Sequence, residues 1–137
     1  MRDEPVVIEA SALLDLMISP RAGPALSARI DGCSLHAPGH VDVEVLASLG
    51  HLEQTGSLSS DAVARYAETM AAAPIERHAV AGLMAGAWRR RNHLPLSVAL
   101  YVELARTLGA TLVTSDPALA RLTHLAEFVG RVGSGAR

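Results

Sequence analysis

The chain has 137 residues, half of them hydrophobic, with 14 acidic and 12 basic side chains and a formal net charge of −2. This length and apolar content suit one domain with one core, and the small net charge gives no sign of a broad nucleic-acid-binding surface. Aromatic residues make up 3% of the chain, which argues against a base-stacking platform because such a platform needs exposed rings.

The cysteine content and the N-terminal sequence indicate the cellular compartment of the protein. Cys33 is the single cysteine, so it has no partner for an internal disulfide, and the sequence begins without a charged-then-apolar leader. No apolar run approaches the roughly 20 residues that a membrane-spanning helix needs. From these features we expect a cytoplasmic protein with no membrane partner.

Predicted strands and helices alternate along the chain. Short apolar runs bounded by turn residues predict strands at residues 6–8, 34–37, 74–77, 111–114 and 128–132. Helical spacing predicts helices at residues 10–18, 22–30, 38–56, 61–72, 79–91, 95–108 and 117–122. This alternation is typical of an α/β fold with a mainly parallel sheet. We therefore expect residues 1–137 to form a single domain, with residues 133–137 as a frayed tail.

Three carboxylates stand where an α/β sheet commonly places ligands. Glu9 follows the first predicted strand, Asp116 follows the fourth, and Glu44 lies in the helix that opens at Pro38. The carboxyl ends of parallel strands meet at one rim of the sheet, where ligands bind. Clustered carboxylates suit Mg²⁺ or Mn²⁺, which can polarise a phosphodiester and activate water. Each acid also has a structural interpretation: an edge residue, a charge at a helix N-terminus, or a helix cap.

Four segments of the chain carry a resemblance to a known family. They are VVIEASALLDL, HAPGHVDVEVLASLGHL, PIERH and RNHLPLSVALYVELARTLGATLVTSDPALA, and the similarity extends over residues 6–132. In order and spacing they resemble a PIN domain, most closely the VapC-type toxins of toxin–antitoxin pairs. The resemblance implies a three-layer α/β/α fold, a homodimer, and a Mg²⁺- or Mn²⁺-dependent endoribonuclease that acts on RNA and is neutralised by a cognate antitoxin.

The same resemblance reveals two departures at the acidic site. The family's four acids fall on Glu9, Glu44, Val98 and Asp116, so one Asp is replaced by a longer Glu and another by Val. Valine cannot ligate a cation. Two further positions beside the third acid also differ from the family pattern, namely Pro95 and Ser97.

These departures leave two functions open. We expect metal binding by Glu9, Glu44 and Asp116 to be weak or absent, and the protein to act by binding an antitoxin-like or other partner, because catalytic groups need placement within about 0.5 Å. The alternative is an active endoribonuclease toxin, since Mg²⁺ often uses only one or two protein carboxylates. A small antitoxin-like gene beside this one would favour the alternative. Three other acids are expected to be solvated or capping residues rather than substitutes: Asp15, Asp42 and Glu103.

The remaining motifs give weaker signals. Trp88 and the three arginines after it form the one basic run, which is either a phosphate contact or favourable charge at a helix end. Ser11 resembles the family hydroxyl that supports the first acid, and it also suits a helix start. The six histidines are dispersed without paired metal spacing, so the sequence predicts no zinc site. The apolar stripe of the first helix suits the core, although such stripes also form dimer or antitoxin surfaces; its members are Leu13, Leu14 and Met17.

Overall fold

The structure, a computed structural model, describes residues 3–130. The strands are β1 (Pro5–Ile8), β2 (Ser34–Pro38), β3 (Ile75–His78), β4 (Thr111–Thr114) and β5 (Ala126–Phe128). The helices are α1 (Ala10–Ile18), α2 (Gly23–Ile30), α3 (Val41–Gln54), α4 (Ser60–Ala72), α5 (Met84–Arg89), α6 (Leu96–Leu108) and α7 (Pro117–Ala120), with a 3₁₀ turn at Val80–Leu83. None of the helices in this part of the chain is long and apolar enough to cross a membrane.

The five strands form one sheet in the order β3-β2-β1-β4-β5, and every neighbouring pair is parallel. From β1 the chain adds β2 and then β3 on one side, and it then adds β4 and β5 on the other side of β1. Because connections between parallel strands are right-handed, α1 to α4 cover one face of the sheet, and α5 and α6 cover the other. The predicted three-layer α/β/α fold is confirmed. The change of direction lies between β1 and β4, where such folds usually bind ligands.

The core lies where both faces of the central strands are covered by helices. Val6, Val7 and Ile8 of β1 are fully buried, as are Leu112 and Val113 of β4. These uninterrupted apolar runs are typical of parallel strands that are covered on both sides. The stripe of α1 also belongs to this core, because its three apolar members are buried or packed against it: Leu13, Leu14 and Met17.

Two predicted elements differ from the structure. The helix predicted over residues 79–91 is the 3₁₀ turn followed by the six-residue α5, and its two glycines weaken a continuous helix because each costs about 1 kcal/mol relative to alanine. The last strand is β5, which ends where Phe128 pairs with Thr114, rather than a strand over residues 128–132. Residues 131–137, including the predicted frayed tail, lie outside the described residues.

Gly86 sets the distance between α5 and α6. A Cβ atom at this position would overlap the carboxylate of Glu103, which accepts a hydrogen bond from Arg90 Nη2 at 2.9 Å. We expect Gly86→Ala to displace Glu103 from Arg90 and to lower the free energy of unfolding by about 1–2 kcal/mol, measured by urea denaturation.

Gly50 provides the matched control for this prediction. It lies inside α3, and a Cβ atom there would meet nothing within 4 Å. Gly50→Ala should therefore stabilise the protein by about 0.5–1 kcal/mol through helix propensity alone. In a Glu103→Ala background, Gly86→Ala should no longer destabilise, since the overlapping group is gone. If Gly86→Ala lowered the free energy of unfolding equally in the native and the Glu103→Ala proteins, the proposed overlap would be contradicted.

Candidate functional site

The sheet carries two of the predicted acids to the carboxyl ends of neighbouring strands. Glu9 follows β1 and is the extended N-cap residue of α1. Asp116 follows β4 and is the N-cap residue of α7. Glu44 lies in the first turn of α3, which begins after the carboxyl end of β2. Glu9 and Glu44 line one shallow pocket, and Asp116 is not part of its lining.

Hydroxyl groups hold the Glu9 carboxylate in place. Its Oε1 atom accepts hydrogen bonds from the Ser11 hydroxyl and, at 2.6 Å, from the hydroxyl of the fully buried Thr114. Ser11 Oγ in turn accepts from the backbone N–H of Ser115 at 3.2 Å and from its hydroxyl at 3.3 Å. This network fixes the position of Oε1. The sequence pointed to Ser11 but gave no signal for Thr114.

Tyr101 holds the second acid, Glu44, through a hydrogen bond. Its hydroxyl donates to Glu44 Oε1 at 2.7 Å, and the side chain is only 1% exposed. Burial raises the pKa of Tyr101 far above its ordinary value, and the hydrogen bond and charge of Glu44 raise it further, with a smaller effect from the charge of Glu9. The phenol therefore stays protonated and acts as a permanent donor to Glu44.

His40 links Glu44 to the start of α6. Its Nε2 atom lies 3.1 Å from the carbonyl oxygen of Ser97 and 3.8 Å from Glu44 Oε2. Because a carbonyl only accepts hydrogen bonds, Nε2 carries the proton. The imidazole also packs against Tyr101, with ring centroids 4.8 Å apart. Glu44 thus accepts a hydrogen bond from the phenol and lies beside the imidazole.

Asp116 caps α7. Its Oδ1 atom accepts the backbone N–H of Ala118 at 2.9 Å, and its own N–H donates to Thr114 Oγ1 at 3.0 Å. The structural interpretation of this residue as a cap is therefore confirmed. The cap uses one carboxylate oxygen, so the second oxygen makes no hydrogen bond within residues 3–130 and stays available to a cation.

Val98 lies where the resemblance places the third acid. It sits in the first turn of α6, three residues before Tyr101, and its side chain packs against the hydrophobic core. Residues three apart share a helix face, so position 98 is on the side of α6 that reaches Glu44 through Tyr101. Position 98 therefore carries an apolar side chain instead of a carboxylate.

The acids that we expected to be solvated or capping residues make ion pairs in two of the three cases. Asp42 binds Arg77, with Oδ1 3.0 Å from Nη2, and Glu103 binds Arg90. Neither carboxylate is free to replace the missing acid at position 98. Asp15 lines a separate cavity near the end of α1, which neither Glu9 nor Glu44 lines.

The basic run ends α5. Arg89 lies in the last turn of this helix, and Arg91 Nη1 donates to the carbonyl oxygen of Trp88 at 3.0 Å while its guanidinium stacks 4.5 Å from the centre of the Trp88 ring. Arg90 pairs with Glu103. These contacts favour the interpretation as charge at a helix C-terminus.

The three predicted acids do not converge tightly. Within residues 3–130, one group of three or more His, Cys, Asp or Glu side chains has all its ligand atoms within 4.8 Å of one another, and it consists of His36, Glu76 and His78. The sequence did not reveal this group because the two histidines are 42 positions apart. The signal that could have found it is the parallel pairing of the second and third predicted strands, which places His36 opposite Glu76.

Comparisons with known proteins decide the family. Ribonuclease VapC3 of Mycobacterium tuberculosis is 43% identical over 129 residues, which cover 93% of this chain and 93% of the relative. This chain belongs to the VapC family of PIN-domain proteins. Ribonuclease VapC12 of the same organism is 30% identical over 116 residues, or 85% of this chain and 90% of the relative. No protein-family model matches the chain.

Two solved structures share the fold of this VapC-family chain. PAE2754 from Pyrobaculum aerophilum has a TM-score of 0.65 and 19% identity, covering 90% of this chain and 83% of that chain. VapBC2 from Rickettsia felis, bound to a DNA fragment from its promoter, has a TM-score of 0.61 and 12% identity, covering 91% and 98%. At these identities the likeness concerns the fold alone. The predicted family and fold are confirmed.

Proposed function

We propose that this VapC-family protein has an impaired nuclease site and acts mainly by binding a protein partner. The observation that supports the proposal is Val98, an apolar residue packed against the core where the resemblance places a metal-binding acid. The remaining acids are Glu9, Glu44 and Asp116, which would hold Mg²⁺ or Mn²⁺ weakly or not at all. With one carboxylate fewer, less negative charge offsets a divalent cation at this rim.

Glu9 adds a second impairment. Its Oε1 atom is held by Ser11 and Thr114, so the longer side chain is fixed in a position that a shorter Asp would not occupy. Metal-assisted hydrolysis depends on placing the cation, the phosphate and the attacking water together. Displacing one carboxylate and deleting another therefore affects catalysis more than it affects binding.

An active metal-dependent endoribonuclease is the second candidate function. Glu9 Oε2, Glu44 Oε2 and the second Asp116 oxygen accept no hydrogen bond from residues 3–130, so each could bind a cation directly. When bound, Mg²⁺ or Mn²⁺ would polarise the phosphodiester and activate water. The named relatives are ribonucleases, which favours this second function.

RNA cleavage by the native protein distinguishes the two functions. The assay uses a pool of structured RNAs with Mn²⁺, with and without a chelator, and Glu44→Ala as the matched control. We expect the native protein and Glu44→Ala to give the same background. Cleavage that is lost both with chelator and in Glu44→Ala would establish the active nuclease and overturn the impaired one.

The partner surface is proposed to be a groove between α3 and α4. This groove holds about 420 Å³, and beside it Val43 and Leu46 are 68% and 57% exposed. Its lining is mostly apolar and comprises Val45, Leu46, Leu49, Ala67, Met70 and Ala71, with Asp42 and Arg77 at one end. An apolar helix face fits such a groove. Since the resemblance to VapC-type toxins implies a cognate antitoxin, the proposed occupant is a helix of a VapB-type antitoxin.

A charge in the groove should abolish partner binding. We expect Leu46→Glu to weaken the complex with a purified VapB-type antitoxin by on the order of 100-fold, because an unpaired carboxylate would be buried. Isothermal titration calorimetry measures the loss. Ala64→Glu adds the same charge to α4 on an exposed residue outside the groove lining, and it should bind like the native protein. If Leu46→Glu bound the partner as tightly as the native protein does, the partner would not occupy this groove.

The homodimer that the resemblance implies, the RNA partner and the cytoplasmic location stay predictions.

A further inference from the structure

We propose that His36, Glu76 and His78 form a binding site for one transition-metal ion, of which Zn²⁺ is the expected example. The site is separate from the acidic rim, since none of its ligands is Glu9, Glu44 or Asp116. Two imidazoles and one carboxylate are a ligand set that suits zinc and its neighbours rather than Mg²⁺.

The sheet register brings the three ligands together. His36 of β2 pairs with Glu76 of β3, and Pro38 pairs with His78. Side chains alternate along a strand, so Glu76 and His78 project from the same face as His36. β3 is an edge strand, which leaves Glu76 accessible, with 67% of its side chain exposed against 13% for His36 and 24% for His78. The site is therefore open to solvent on the side of Glu76 and mostly buried on the side of the two histidines.

The ligand distances fit a single ion. His36 Nδ1 lies 3.0 Å from His78 Nε2, and the Glu76 oxygens lie 3.7 Å from His36 Nδ1 and 3.8 Å from His78 Nε2. Ligands about 2 Å from a tetrahedral zinc ion are about 3.3 Å apart. The observed distances lie on both sides of this value, so small side-chain rotations would complete the site. Three protein ligands leave a fourth position for water.

Ser34 orients the first ligand. Its hydroxyl donates to the carbonyl oxygen of Asp3 at 3.4 Å, so its oxygen can accept the Nε2–H of His36, which is 3.2 Å away. This bond leaves the Nδ1 lone pair of His36 pointing at His78. In the metal-free protein His78 Nε2–H donates to that lone pair. A metal ion would take the place of this hydrogen bond: the Nε2 proton of His78 would move to its Nδ1 atom through solvent, so that both imidazoles stay neutral, and the ion would bind His36 Nδ1 and His78 Nε2.

Titration of the full chain with Zn²⁺ tests the proposal. The protein carries no affinity tag and is first freed of metal with a chelator; isothermal titration calorimetry then reports stoichiometry and affinity. We expect one equivalent to bind, on the order of 100-fold or more weaker binding in His36→Ala and His78→Ala, and about 10–100-fold weaker binding in Ser34→Ala. Binding should also raise the Tm of the native protein, because the metal joins β3 to β2 only in the folded state.

Matched variants show whether Zn²⁺ binds at this site or elsewhere in the protein. His51→Ala removes one exposed imidazole from α3, and Glu44→Gln removes a charge from the acidic rim; both should bind Zn²⁺ like the native protein. Glu76→Gln changes an exposed side chain, so this variant should fold normally. It should nevertheless bind Zn²⁺ more weakly than the native protein. Native affinity in His36→Ala, or a native dissociation constant weaker than about 1 mM, would overturn the proposal. Loss of binding in Glu44→Gln with no loss in Glu76→Gln would also overturn it, by moving the metal to the acidic rim.

Discussion

The double variant Glu9→Asp with Val98→Asp is expected to bind Mn²⁺ more tightly than the native protein and to gain RNA cleavage that the native protein lacks. The carboxylate introduced at position 98 would lie on the face of α6 that carries Tyr101, whose hydroxyl contacts Glu44. Four carboxylates of the family arrangement would then surround the cation. We expect Mn²⁺ affinity to rise at least tenfold by calorimetry and cleavage to rise by on the order of 100-fold over background.

Stability provides a second readout for this variant. Without metal, an added carboxylate beside Glu44 and the acid at position 9 introduces like-charge repulsion, so the variant should have a lower Tm than the native protein. Saturating Mn²⁺ should restore the Tm of the variant and leave the native Tm unchanged. The matched control is Leu96→Asp, which adds the same charge to the same turn of α6 on a residue that is 46% exposed. If Leu96→Asp responded to Mn²⁺ as strongly, the specific role of position 98 would be refuted.

Alkaline unfolding should reveal the buried phenol of Tyr101. Burial and the Glu44 carboxylate raise the pKa of Tyr101 in the folded state, while the unfolded chain titrates near the ordinary value of about 10. Above pH 10 the unfolded state therefore binds one proton fewer than the folded state. The contribution of Tyr101 to stability is complete below pH 10 and falls by about 1.4 kcal/mol per pH unit above it.

The composition of the chain makes this slope measurable. All 12 basic side chains are arginines, which stay charged to about pH 12 or beyond, so phenols dominate the titration between pH 10 and 12. Urea denaturation should show the slope in the native protein and in Tyr66→Phe, and its loss in Tyr101→Phe. At neutral pH, Tyr101→Phe should cost about 1.5–3 kcal/mol, since Glu44 loses a charge-assisted hydrogen bond. An unchanged slope in Tyr101→Phe would mean that another group is responsible.

The fold was largely predictable because local signals agreed with the tertiary structure. The apolar run of β1 and the run before Asp116 are buried from both sides, so their hydrophobicity alone identified them as strands. Glu9 and Asp116 were placed correctly at strand ends for the same reason. The region over residues 79–91 was predicted less well, because glycines at positions 82 and 86 interrupt a pattern that otherwise has helical spacing.

The contacts within the candidate site were not predictable, because they depend on long-range packing. Thr114 and Tyr101 have the sequence pattern of strand and helix core residues, yet their hydroxyls hold Glu9 and Glu44 across 105 and 57 positions of the chain. The pair of His36 and His78 depends on which strands are neighbours and in what register. Sequence spacing carries neither piece of information, so the dispersed histidines predicted no metal site.

The most direct test of the impaired site compares the native protein with the Glu9→Asp, Val98→Asp variant on one RNA pool with Mn²⁺. The measurement is the chelator-sensitive cleavage rate of each protein. We expect a rate indistinguishable from background for the native protein and a clear rate for the variant. Chelator-sensitive cleavage by the native protein at a rate equal to that of the variant would contradict this expectation, and would show that Glu9, Glu44 and Asp116 suffice.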